Sequence, residues 1–97
     1  MARYLMLFRF TEKGIANIKD SPNRVEGLKQ TFKEAGAEIK EFYALLGRYD
    51  TMFIAEAPDD ETIARLALTI GSKGNVHTET LRAFTMDQYR TMVAGIP

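Results

Sequence analysis

The chain has 97 residues, 45% of them apolar, with thirteen basic side chains balanced by thirteen acidic ones and no cysteine. A chain without net charge offers no field of one sign to hold a nucleic acid or an anionic membrane, so neither is expected as a partner. The lack of cysteine removes disulfides, thiolate metal sites and cysteine nucleophiles, and agrees with a reducing, cytoplasmic setting. The length suits one domain over 1–97, with a core small enough for contacts between copies to matter.

Arg3 to Phe10 is apolar on both alternating sets, with Tyr4, Met6, Phe8 and Phe10 on one side and Leu5 and Leu7 on the other. This pattern predicts a strand covered on both faces. Its apolar run between two arginines is far too short for a signal-peptide core or a membrane span. Thr11-Glu12-Lys13-Gly14 ends the alternation, and Ser21-Pro22 predicts a helix start, with serine as the cap and proline at the first helical position. Val25, Leu28, Phe32 and Ala35 form its stripe, and Gly36 ends it.

Two strands follow, Ala37 to Leu46 and Thr51 to Ala57, joined by Gly47-Arg48 as a two-residue hairpin loop with glycine at the positive-φ position. In that register Leu46 opposes Tyr49 and Leu45 opposes Asp50. Phe42, Ala44, Tyr49, Thr51, Phe53 and Ala55 then share one face. Ile39, Glu41, Tyr43, Asp50, Met52, Ile54 and Glu56 share the other. Pro58-Asp59-Asp60-Glu61 opens a second helix by capping, with Ile63, Leu66, Ala67 and Ile70 as its stripe. After the loop Gly71 to Asn75, Val76 to Phe84 reads as the last strand and Met86 to Val93 as a short C-terminal helix.

The order is that of an α+β, ferredoxin-like βαββαβ domain, a four-stranded antiparallel sheet with a short C-terminal helix appended. Two helices cover one sheet face, yet the first strand is apolar on both. Each large apolar side chain left in water forgoes roughly 1.5–3 kcal/mol of burial, so the second face is expected to meet another copy. A two-fold homodimer packed sheet to sheet, a dimeric α/β barrel, satisfies this most simply, with larger homo-oligomers built from it. The alternative is that Met86 to Pro97 folds back over its own sheet.

Candidate chemistry is sparse. His77 is the single histidine and has no spaced partner, which excludes a multi-histidine metal site within one chain. Gly71-Ser72-Lys73-Gly74 follows a helix and precedes a strand, the reverse of a phosphate loop. Asp59, Asp60 and Glu61 are explained by capping without a cation. Tyr43, Glu41 and Asp50, on one face with Met52, Ile54 and Phe8, have the composition of a small-ligand site. The structural alternative for Asp50 is acceptance of backbone amides at the turn. Thr78, Thr80 and Arg82 share a face of the last strand, where Arg82 would pair with Asp50 or Glu56 or hold an anionic ligand group. Arg24, misplaced for the helix dipole, predicts a partner such as Asp20 or Asp50.

Gly47, Tyr49 and Asp50 in the spaced form Gly-Arg-Tyr-Asp resemble the signature of the GYD-domain family. The likeness continues through Phe10 to Gly14, Ser21 to Arg24, Glu56 to Asp60, Gly74 to Val76 and Thr78 to Thr80. It implies a ferredoxin-like domain of the dimeric α/β-barrel kind and brings no established reaction, hence no catalytic residues. At His77 the family is expected to carry a basic residue rather than a fixed histidine. The leading expectation is a homo-oligomeric binding or accessory protein holding a small, largely apolar molecule near the sheet-face dimer interface. The second is a cofactor-free oxygenase or isomerase using Asp50, Tyr43 or His77 as acid or base. The third is a structural assembly module.

Overall fold

β1 (Ala2–Phe10) pairs antiparallel with a neighbour on each side, β3 (Thr51–Ala57) and β4 (Val76–Ala83), in a computed structural model that describes residues 1–97. β2 (Glu38–Ala44) pairs with the outer edge of β3, giving the strand order β2-β3-β1-β4. The helical segments are α1 (Glu12–Ala16), a 3-10 turn (Ile18–Asp20), α2 (Ser21–Glu34), α3 (Asp60–Ser72) and α4 (Met86–Ala94). No helix is long and apolar enough to cross a membrane.

The register lays the sheet out in rows. On the helix side, Phe42, Phe53, Met6 and Thr80 form one row, with Ala55, Tyr4 and Arg82 beside it. Tyr4, Met6, Phe8, Phe53 and Ala55 are buried there against Phe32 of α2 and Ile63, Leu66 and Ile70 of α3. Phe53 is the centre of an aromatic cluster, with ring centroids 4.8 Å from Phe8, 5.8 Å from Phe42 and 6.0 Å from Phe32. These tilted and edge-on contacts suit the ring quadrupoles and add to the area buried.

Local chemistry explains most of the boundaries. Asp59 caps α3, its carboxylate accepting from the Thr62 amide at 2.8 Å and the Thr62 hydroxyl at 2.7 Å. At the end of α2, Gly36 takes φ +78°, and the amides of Gly36 and Ala37 donate back to the carbonyls of Lys33 and Phe32. This Schellman closure buries Ala37. Ala35, expected in the α2 stripe, is exposed instead.

Three other expectations are corrected. Ser21 is not the cap of α2: its backbone is already helical, and the preceding 3-10 turn leads into the helix without a side-chain cap. Thr11 to Gly14 does more than end a strand, since Thr11 caps the short α1 by accepting from the Gly14 amide. β2 carries a bulge between Ile39 and Glu41, so Ile39 faces the core opposite Ala55 rather than sharing a face with Glu41. One extra residue in one strand reverses the alternation beyond it.

Candidate functional site: the open sheet face and the motif loop

The sheet face away from the helices carries Tyr43, Met52, Leu7 and Glu79 in one row and Glu41, Ile54, Leu5 and Leu81 in the next. Leu5, Leu7, Met52 and Ile54 are half-buried by their neighbours, while Leu81 and Tyr43 remain 45% and 50% exposed. The third row ends the apolar strip: Arg3 and Glu56 form an ion pair at 2.9 Å, and the Arg3 hydrogen bond holds the Glu56 carboxyl below the usual carboxylate range.

α4 also exposes apolar side chains. A reciprocal capping box starts the helix, with the Thr85 hydroxyl accepting from the Gln88 amide and the Gln88 side chain from the Thr85 amide. No residue of α4 is buried, and Met86, Tyr89, Met92 and Val93 are all exposed. Met86 to Pro97 therefore does not fold back over the sheet.

The Gly-Arg-Tyr-Asp loop sits beside the end of β1. Strand pairing stops at Ala44 and Thr51, and the Leu45 amide donates to the Asp50 carbonyl at 2.8 Å, which keeps the expected 45-to-50 register. Leu46 and Tyr49 are not a paired rung. Gly47 at φ +116° turns the chain, an angle that glycine accepts without steric cost. Asp50 then joins β1: its amide donates to the Phe8 carbonyl at 2.8 Å, and its carboxylate accepts from the Phe10 amide at 2.8 Å. The Tyr49 hydroxyl donates to Glu79 on β4 at 2.6 Å. Together the two residues fasten the tip of the hairpin across two further strands.

The expected ligand-site residues separate. Tyr43 and Met52 are neighbours on the open face, where the Tyr43 hydroxyl donates to Glu41 at 2.7 Å. Asp50 does not join them, because its carboxylate is occupied by the Phe10 amide. Phe8 lies on the opposite face, 3% exposed in the helix-side core, because it is Leu7 that shares the row of Met52. Tyr49 leaves the Phe42 face for Glu79, since strand alternation ends before the loop begins.

Thr80 and Arg82 also belong to the helix side. The Thr80 hydroxyl is buried with no hydrogen bond. Arg82 lies over the rings of Tyr4 and Phe84 and donates to the carbonyls of Arg3 and Ala83, so it pairs with neither Asp50 nor Glu56. Arg24 donates to the Asn17 carbonyl at 3.0 Å rather than to Asp20 or Asp50.

Hydrogen bonding to Glu41 raises the Tyr43 pKa, and hydrogen bonding to Glu79 raises that of Tyr49, so both phenols are held in the protonated, donating form. His77 stands opposite Arg9 on β4, across the sheet from Tyr43 on β2. Three strand spacings, roughly 14 Å, separate those two edge strands. The two residues missed in the sequence were Glu79 and Leu81, whose signal was their alternation with Thr78 and Thr80.

The GYD domain family model matches residues 4–93. The chain belongs to the GYD-domain family. This GYD domain is 33% identical over 84 residues to a protein of Thermus thermophilus described as a glutamine synthetase and cystathionine beta-lyase binding protein, covering 86% of this chain and 88% of that relative. It is similar in structure to TTHA0845, also from Thermus thermophilus, with a TM-score of 0.56 and 28% identity over 88% of this chain and 95% of the other. A second solved structure, FFRP-DM1, is 19% identical and has a TM-score of 0.62, covering 87% of this chain and all of that one. The neighbours support a ferredoxin-like fold for this GYD domain.

Proposed function

We propose that this GYD domain is a protein-binding module that works as a homo-oligomer, with open sheet faces packed together as a dimeric α/β barrel and α4 reaching onto the second copy. The assembled protein, in this reading, is cytoplasmic and binds metabolic enzymes. The observation that carries it is the uncovered apolar strip of Leu5, Leu7, Met52, Ile54 and Leu81, together with an α4 with no buried residue. A self-complementary strip of this kind is most simply buried by a two-fold axis. Binding of enzymes is supported by the name of the Thermus thermophilus relative.

A small, largely apolar molecule in the seam between two such sheets is the second reading. It is favoured by the Tyr43–Glu41 hydrogen bond at the border of the apolar strip, which sets a fixed polar group beside Met52 and Ile54.

Native mass spectrometry of the purified protein tests the assembly, with a dimer or a multiple of it expected. Leu81→Glu, at a half-exposed position, is expected to give a folded monomer; an unchanged oligomer would move the interface elsewhere. Immobilised protein is then expected to retain purified glutamine synthetase or cystathionine beta-lyase from the same source. Retention of neither removes these two enzymes as partners and leaves the assembly reading standing.

A further inference from the structure

On the helix side, away from the proposed oligomer surface, a cavity of about 450 Å³ lies between α2, the sheet and the end of α3. This falls within the range of small-molecule sites, roughly 300–1,000 Å³. Phe8, Phe53, Leu28 and Val76 give it an apolar interior. Its charged lining is all of one sign: Lys13, Arg24 and Lys73 contribute, and no aspartate or glutamate does.

None of the three cations has an acidic partner. The ion pairs of the molecule are made by Arg3, Lys29, Lys40, Arg65 and Arg90. Lys13 donates to the Lys73 carbonyl at 2.8 Å and Arg24 to the Asn17 carbonyl at 3.0 Å, bonds that place the two charges without neutralising them. In a chain whose charges cancel, three unpaired cations around one apolar cavity form a local excess that an anion relieves.

Gly27 is the second observation. It lines the cavity in the interior of α2, where glycine is among the poorest helix formers. Its φ is not positive, and an added Cβ would meet nothing within 4 Å, so neither backbone conformation nor close packing calls for it. What its missing side chain leaves is open space beside Arg24 and Thr31, three residues before it and four after, which share its flank of the helix.

We propose that this cavity binds a small organic monoanion with an apolar body, a monocarboxylic acid. Its carboxylate lies among Lys13, Arg24 and Lys73, and its hydrocarbon or aromatic part lies on Phe8, Phe53 and Leu28. A free phosphate would leave the apolar interior unfilled, and a neutral hydrocarbon would leave the three cations unpaired. The cavity is independent of the oligomer, because the two surfaces are on opposite faces of the sheet.

Titration calorimetry of the full-length protein with octanoate, and with octan-1-ol as the uncharged counterpart, tests it. Octanoate is expected to bind saturably at concentrations below about 1 mM, at least about tenfold more tightly than octan-1-ol, and more weakly as salt is raised. Lys73→Gln, which removes a charge whose ammonium makes no hydrogen bond, is expected to weaken octanoate and leave octan-1-ol unchanged. Gly27→Leu is expected to abolish octanoate binding while the thermal midpoint stays level or rises. Equal affinity for acid and alcohol would reduce the cavity to an apolar crevice and overturn the proposal. So would no saturable octanoate binding up to about 5 mM, or octanoate binding untouched by both substitutions, which would place it elsewhere on the protein.

Discussion

Asp50 illustrates how a motif residue can be chemical in type and structural in use. Its carboxylate accepts the Phe10 amide at 2.8 Å, so Asp50→Ala leaves a backbone donor without its partner. A loss of about 1–3 kcal/mol is expected from urea unfolding, and a smaller loss for Asp50→Asn, which keeps an acceptor oxygen in place. Tyr4 is a second case. Burial, reinforced by the hydrogen bond its hydroxyl donates to Asp60 at 2.5 Å, raises its pKa from 10.0 to about 12. The folded chain therefore keeps a proton that the unfolded chain releases above pH 10. Stability contributed by this group is full below pH 10 and is lost as the pH rises towards 12. Urea midpoints measured across that window should fall less steeply for Tyr4→Phe than for the wild type.

At the scale of elements, α3 was legible because its signals are local: an aspartate cap and a stripe at helical spacing. The bulge in β2 was not, since it exists only relative to the partner strand β3. The short α1 was missed because five residues are too few to show a period. Its place is set by contacts far along the chain: the Thr11 hydroxyl donates to the Gly74 carbonyl at 2.6 Å, and the Thr11 amide to the Asn75 carbonyl at 3.1 Å. The docking is so close that a Cβ on Gly14 would stand 1.9 Å from the Asn75 carbonyl oxygen. Gly14→Ala is therefore expected to push α1 off the start of β4 and cost roughly 1–3 kcal/mol or more, read by thermal unfolding. Removing α4 by ending the chain after Phe84 has the opposite expectation. With no buried residue lost, the sheet and its two long helices stay folded, while sedimentation should show weaker self-association.

At the scale of the molecule, one sheet face is closed by helices and the other is left apolar and open. If that face is buried against a second copy, folding and assembly are linked by mass action, and the thermal midpoint rises with protein concentration. A midpoint that stays constant over a hundredfold dilution would count against the oligomer. The make-up of the open sheet face was legible in part. Alternation correctly placed Tyr43, Met52, Glu41 and Ile54 together. It misplaced Phe8 relative to them, because period two says which residues of a strand share a face and says nothing of how two strands are phased.

The sequence by itself determined the kinds and order of the main elements, the capping of α3, the turn at Gly47 and the hairpin register from Leu45–Asp50 to Glu41–Ile54, all of which depend on residues close along the chain. Only the tertiary structure decided which face each strand turns to the helices, where Tyr49 and Asp50 attach, and that Lys13, Arg24 and Lys73 meet around one cavity. Those outcomes depend on pairings between residues far apart in the chain, and no local pattern encodes them.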